Sequence, residues 1–338
     1  MLDARRLKVL RAIVEDYVST REPVGSRALV ERHSLDVSPA TIRNDMAALE
    51  EAGLIAQPHT SAGRVPTDAG YRMFVDQLAT VKPLSKAERR AINALLDGEL
   101  DLDQVVERAV RTLTLLTHQV AMVQYPSFGS STLRHVELIG LEPDRCLAVM
   151  IAETGRVEQR VVHLPVNLDR EAGLKLRVRL MEVAAGRRPQ QAMTELDALP
   201  GEFPPAQRPA VAAIAQVVKD TLQEGQADRV VMAGTFNLAR SSPDFDGSIL
   251  PLLEAIEEQV VLLKLLGELV ADTGQVAIRI GSENTHPGLL QASLVTAPYG
   301  QGEAVGRIAV LGPTRMDYPG SIAVVRAIAL YLSRILAQ

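Results

Sequence analysis

Residues 38–66 read SPATIRNDMAALEEAGLIAQPHTSAGRVP, a helix start, an amphipathic run and a turn-rich tail in succession. Ser38 followed by Pro39 places a hydroxyl at an N-cap and a proline at the first helical position, where its missing N–H costs nothing. The helix is expected from Pro39 to Ala52, about 21 Å at ~1.5 Å per residue, and Gly53 stops it by taking the left-handed cap. With Ile42 set at zero, Met46 and Leu49 return to within about 40° of it. Ala40, Asn44, Ala47, Ala48 and Glu51 fall on the far side, and Thr41 and Arg43 on the flanks. The inward face is apolar. The outward face near the N-terminus is small or polar, a shape that permits close approach to another surface.

Outward from this helix the neighbouring segments complete a module. Residues 4 to 18 carry Leu7, Leu10, Ile13, Val14, Tyr17 and Val18 on one helical stripe. Pro23 and Gly25 then interrupt the chain, and Gly25 or Ser26 starts a short helix ending near His33, with Ala28 and Leu29 inward. After Gly53, Leu54 to Gln57 and Arg64-Val65-Pro66 read as two strands around a loop of His59, Thr60, Ser61, Ala62 and Gly63. Thr67 caps a last helix carrying Tyr71, Phe74, Val75 and Leu78. Helix, short helix, longer helix and two-stranded wing make a winged helix-turn-helix, in which the longer helix of the pair enters a DNA major groove.

The side chains suit that use. Asn44 can pair with an adenine edge, Arg43 with a guanine edge or a phosphate, and Thr41 can bond to a base or touch a thymine methyl. Ser38, Ala40 and Ala48 complete the candidate surface, and the helix N-terminus favours a phosphate. In the wing, His59, Thr60, Ser61 and Arg64 are candidates for backbone phosphates or the minor groove. Charge adds nothing: residues 1 to 78 hold 10 basic and 11 acidic residues. A compact helical module for protein contacts or dimerisation therefore stays open on the residues alone.

The whole chain, 338 residues with 47% hydrophobic and 23% charged, is long enough for two or three domains with real cores. Its net charge, 36 basic against 41 acidic residues or −5, argues against an indiscriminate polyanion binder. A single cysteine, Cys146, excludes an intramolecular disulfide framework, a thiolate zinc cage and an iron–sulfur cluster. The six histidines show no metal-ligand spacing, so neither metal nor cofactor is expected. The opening residues lack the apolar core of a signal peptide, and no apolar run reaches the roughly 20 residues of a bilayer span. A bacterial cytoplasmic protein with no membrane association is the expectation.

Beyond residue 80 the pattern alternates. Lys82-Pro83-Leu84-Ser85 breaks the chain before KAERRAINALL, and Asp103 to Gln119 forms a packed linking helix with Val106, Val110, Leu113 and Thr117 on one side. Strands follow in VAMVQYP and in RHVELIGLEPDRCLAVMIAETGRVEQRVVHLP, where Leu147, Val149 and Ile151 alternate with smaller residues and Thr154-Gly155-Arg156 turns into VEQRVVHL, an antiparallel pair with a buried face. Helices dominate from Asn167 to Leu265, with Asp169 to Ala184, Pro209 to Leu222 and Ser248 to Leu266 the clearest. Three more strands, in TGQVAIRIG, LLQASLVTAPYG and GRIAVLGPTR, precede a closing helix capped near Gly320 or Ser321. The layout is one α/β body interrupted by an inserted unit.

No catalytic signature emerges: GxxxxGK[ST], GxGxxG after a strand and GxSxG are absent, and Glu283, Arg315 and Asp317 have no supported carboxylate or nucleophile partner. Gly312, Thr314, Arg315 and Asp317 are expected to end a strand and tie down the turn before the last helix.

PVGSRALVERH, SPATIRNDMAALEEAGLIAQPHTSAGRVPTDAGYR, IGSENTHPGLLQASLVTAPYG and GRIAVLGPTRMDYP closely resemble segments of the heat-inducible transcription repressor family HrcA. The resemblance runs almost continuously over residues 2 to 80 and returns near the C-terminus. It implies an α/β multidomain chain: a winged helix-turn-helix at 1–80, a helical linker at 81–120, a GAF-like domain in two segments, 121–165 and 266–338, and an inserted α+β dimerising domain at 166–265. It also implies a non-enzymatic homodimer that represses chaperonin and Hsp70-machinery operons from double-stranded DNA carrying the CIRCE inverted repeat, with the GroEL chaperonin keeping it active. No small-molecule ligand is expected. The alternative is a winged-helix regulator controlled by a metabolite in the GAF-like domain.

Overall fold

The computed structural model describes residues 3–59, 62–78, 85–87, 90, 92, 94, 102–125, 133–152, 157–187, 189–223, 229–245, 247–258, 261, 264–266, 275–301 and 304–336. The expected break at 82–84, much of the helix expected after it, and the Thr154-Gly155-Arg156 turn lie outside these residues.

The first unit is built as its caps dictate. Helix α1 (Ala4–Thr20) starts where the Asp3 carboxylate accepts the Arg6 N–H and ends at Arg21, whose φ of 62° turns the chain away. Helix α2 (Ser26–Arg32) runs from Gly25 to His33, and α3 (Pro39–Glu51) begins at Ser38, whose hydroxyl accepts the Thr41 N–H. Gly53 takes φ 70°, as the sequence expects of a helix stop. Strands β1 (Ile55–Ala56) and β2 (Val65–Pro66) pair antiparallel, and a bridge from Val24 to Arg64 adds a third short segment. Thr67 starts α4 (Asp68–Gln77): its hydroxyl accepts the Gly70 N–H and donates to the Gly53 carbonyl at 2.6 Å, joining wing and helix.

The body's larger sheet has strand order β7-β3-β10-β9-β8, from β3 (Val120–Gln124), β7 (Val230–Ala233), β8 (Ala277–Ile280), β9 (Ala292–Gln301) and β10 (Ala304–Pro313). All its pairings are antiparallel. Period-2 alternation sends Ala121, Val123, Val295, Ala297, Ile308 and Val310 to one face, packed under α5 (Leu102–Thr117) and α11 (Tyr318–Ile335). Val120, Met122, Leu294, Ala309 and Leu311 go to the other, with residues of α9 (Thr235–Arg240) and α10 (Leu250–Glu257). The linking helix buries only one side: Leu115 and Leu116 are exposed, against the expectation of packing all round.

A second, separate sheet holds β4 (Leu133–Glu142), β5 (Arg145–Ala152) and β6 (Val157–His163) in sequential antiparallel order. It shares a core of its own with α6 (Arg170–Ala184), α7 (Pro189–Ala198) and α8 (Arg208–Gln223). This corrects the expected division at 165/166 and 265/266. Only Val120–Gln124 of the first strand group joins the larger sheet; β4 to β6 go with the following helices, whereas 230–257 returns to the larger sheet's core. A strand joins whichever sheet supplies its ladder, and periodicity carries no record of that partner.

Three local expectations also change. Cys146, Ala148, Met150 and Ala152 are the inward residues of β5, while Leu147, Val149 and Ile151 stay half-buried on its outer face. The helix expected from Ser248 to Leu266 is interrupted: α10 ends at Glu257, Glu258 turns to extended backbone, and Val261 and residues 264–266 are helical again. The closing helix starts before Gly320: Asp317 is its cap, accepting the Gly320 N–H at 3.1 Å, with Pro319 in the first turn.

Candidate nucleic-acid interface

The inward stripe of α3 is Ile42, Met46 and Leu49, as periodicity predicts, and it also contains Asp45, which is 2% exposed. Arg5 of α1 donates to Asp45 through Nε at 2.8 Å and NH2 at 3.1 Å, and Arg6 stands 3.6 Å away. A buried carboxylate needs such pairing, and this one fastens the candidate recognition helix to α1. Asp16 does the same for α2, accepting from Arg32 at 3.1 Å and lying 2.9 Å from His33 Nε2. Neither role is visible in a hydropathy pattern. The available signal was a charge set inside an apolar stripe with arginines on a neighbouring helix.

With its back secured, α3 presents Ala40, Arg43, Asn44 and Ala47 outward, all exposed, with Thr41 and Ala48 half-buried beside them. The Ser38 and Thr41 hydroxyls lie 3.0 Å apart and occupy each other at the helix start. Among the described residues neither the Arg43 guanidinium nor the Asn44 amide has a hydrogen-bond or ion-pair partner. The arrangement offers a capped helix N-terminus, small side chains that allow close approach and two unengaged polar groups one position apart.

The wing is a mixed case. His59 is exposed at its tip, while Thr60 and Ser61 lie outside the described residues. Arg64 is engaged: Nε donates to Glu50 Oε2 at 3.0 Å and NH2 stands 2.9 Å from it, while the Arg64 backbone exchanges two 2.9 Å hydrogen bonds with Val24. Arg64 thus couples the wing's root to the end of α3.

Two body segments, one of them expected to be a plain turn, reach into this winged unit. Arg315 does not tie down its own turn; its Nε donates to Asp244 at 2.9 Å, and its NH1 donates to the Val18 carbonyl at 2.7 Å and the Tyr17 carbonyl at 3.3 Å. Asp317 caps α11 instead of pairing with Arg315. Gly312 still lies in the ladder opposite Ser293, the strand runs on to Pro313, and Thr314 donates its N–H to the Gln291 carbonyl. Arg72 of α4 donates to Glu283 and to the Ile278 carbonyl. Burial alone would raise the Glu283 carboxyl; the Arg72 guanidinium and the Ile280 N–H outweigh it and hold it below its ordinary value.

Among the described residues no cluster of His, Cys, Asp and Glu is placed to hold a metal ion, and no helix is long and apolar enough to cross a membrane. Burial pushes the Cys146 thiol up, away from the reactive thiolate.

Comparison with known proteins fits these observations. The family model described as the HrcA protein C-terminal domain matches residues 103–322, and a DeoR-like helix-turn-helix model matches residues 12–67. The heat-inducible transcription repressor HrcA of Beutenbergia cavernae is 59% identical over 349 residues, covering 99% of each chain. That of Streptomyces albus G is 54% identical with both chains covered in full. A solved structure titled as a hypothetical protein at 2.2 Å resolution shares the fold, with a TM-score of 0.65 over 99% of both chains at 24% identity. A family match over most of the body, and near-full-length relatives 54% and 59% identical, show that the chain belongs to the HrcA family of heat-inducible transcription repressors, a family of regulators rather than enzymes.

Proposed function

We propose that this chain is a sequence-specific repressor of heat-shock chaperone genes, the chaperonin and Hsp70-machinery operons, acting as a homodimer on the CIRCE inverted repeat. The observation that carries the reading is the exposed, unengaged pair Arg43 and Asn44 on the capped outward face of α3. Ser38, Ala40, Thr41 and Ala48 shape the approach to the groove, and His59, Thr60, Ser61 and Arg64 serve the wing. The five-stranded antiparallel sheet with helices on both faces is the GAF-like domain of this reading, interrupted between β3 and β7 by the unit of β4 to α8. That inserted unit dimerises through the outer face of its sheet, and the GroEL chaperonin keeps the repressor active.

Two-fold protein symmetry matched to two half-sites lets two modest interfaces act together on one duplex. The test is a titration, at fixed and stated salt, against a CIRCE duplex and a duplex with one half-site scrambled, with and without GroEL. Tight binding to the intact repeat, reduced by scrambling and enhanced by GroEL, is expected. Equal weak binding to both duplexes by folded protein overturns the operator reading and turns attention to ligands of the body.

A further inference from the structure

The winged head is seated on the body at two ends. At one end Arg315, its side chain 10% exposed, lies between Asp244, 5% exposed, and the carbonyls of Tyr17 and Val18 in the last turn of α1. The Tyr17 carbonyl also accepts the Arg21 N–H at 3.1 Å, and the carbonyls of this last turn form the negative end of the helix dipole, so a guanidinium is the fitting partner. Asp244 also receives Arg21, the residue that ends α1, at 3.3 Å. At the other end the first turns of α4 meet residues 278–283: Asp68 accepts the Ser282 N–H at 2.8 Å, and Arg72 donates through Nε to Glu283 at 2.6 Å. Gly281 makes that approach possible, since it sits at φ 49° and a Cβ there would collide with the Asp68 carboxylate.

Between the two ends the contact is apolar. Tyr71 of α4 and Tyr318 of α11 are 2% and 0% exposed, with ring centroids 5.8 Å apart. A single hydrophobic cluster runs from Val9, Ile13 and Leu49 in the head to Ile322 and Val325 in the body. Swinging the head would take the Tyr17 and Val18 carbonyls and the Arg21 guanidinium away from the buried Arg315–Asp244 pair, or expose this cluster, and both are costly. Through α1 and the Arg5–Asp45 pair, the direction of α3 is therefore fixed relative to the five-stranded sheet.

We infer that Arg315, Asp244 and Glu283 are positioning residues for operator recognition: they hold each head at one angle on its own body and so set which separation of half-sites a dimer reads. The inference rests on the dimeric repressor reading above. A rigid seat concentrates the second head at one distance; a loosened seat spreads it over many and lowers the effective concentration at any one.

The experiment compares wild type, Arg315→Ala, Glu283→Gln and Gly281→Ala. Each is titrated against the intact inverted repeat, repeats with two base pairs inserted or removed between half-sites, a single half-site duplex and a scrambled duplex, with dimer content checked. Glu283→Gln is the mild variant, because Glu283 is partly exposed and lies away from the buried Arg315. Wild type is expected to prefer the natural spacing. The variants are expected to lose about tenfold or more at that spacing, to discriminate less between spacings and to keep half-site affinity within about twofold. Unchanged spacing preference in folded variants overturns the inference. So does a parallel loss on the half-site, which marks a merely structural role, or tighter binding, which would make the seat inhibitory. Wild type that does not distinguish intact from scrambled duplex brings down the repressor reading itself, and with it this one.

Discussion

Arg43 and Asn44 stand on the solvent side of α3 with their polar groups unengaged among the described residues, so DNA contact breaks no intramolecular bond. Arg43→Ala or Asn44→Ala is expected to lower affinity for the intact repeat by about 1–3 kcal/mol per lost base contact, roughly five- to 150-fold. Affinity for scrambled DNA should change less and dimer content should not change; fluorescence anisotropy on the two duplexes with sedimentation of free protein measures both. Unaltered operator affinity would remove these residues from the reading set. The outward face was legible because exposure follows from periodicity: Ile42, Met46 and Leu49 claim the inside. Asp45 was not, because its burial depends on Arg5, 40 residues away in sequence. The engagement of Arg64 by Glu50 was hidden for the same reason: an ion pair across a fold leaves no trace in local spacing.

At the scale of elements, the head was readable nearly to the residue because α1, α3 and α4 carry their own caps: Asp3, Ser38 and Thr67 all accept a backbone N–H in the first turn. Strands carry no such markers. The alternation in β5 identified a strand with two unlike faces, yet the face of Cys146, Ala148, Met150 and Ala152 is the inner one because α6 and α8 approach closely there. Nothing in the local sequence pairs the turn at residues 281–283 with α4, whose Asp68 and Arg72 are its partners. Its contribution should depend on pH. Glu283 is held below its ordinary value of 4.5, so it stabilises the seat fully above that value and ceases to do so as pH falls through its lowered one. Glu283→Gln is expected to cost roughly 0.5–1 kcal/mol at pH 7, with the gap from wild type closing in strong acid. Urea midpoints at several pH values would show it; a gap that persists unchanged once carboxylates are protonated would assign the loss to packing.

At the scale of the molecule, the outer face of the three-stranded sheet is left open among the described residues. Cross-strand register lines up Ile139, Leu147 and Val161 in one row, and Ile151 with Val157 in another. Ile139, Val157 and Val161 are each about half exposed, at 46%, 50% and 53%. Branched side chains placed in register on an open face are what a second copy would bury, and an isologous contact between identical sheets closes at a dimer. A charge in the middle of such a contact would be desolvated without a partner, whereas in the free monomer it stays in water. Val161→Asp should therefore shift the protein toward monomer without unfolding it, seen by sedimentation and circular dichroism. Because β4 to β6 share no sheet with the head or with β3, half-site affinity should survive while the gain from the second half-site disappears. A fully dimeric Val161→Asp would move the dimer contact to another surface. A monomer that still bound the intact repeat as tightly as wild type would show that pairing on DNA, rather than in solution, brings the two heads together.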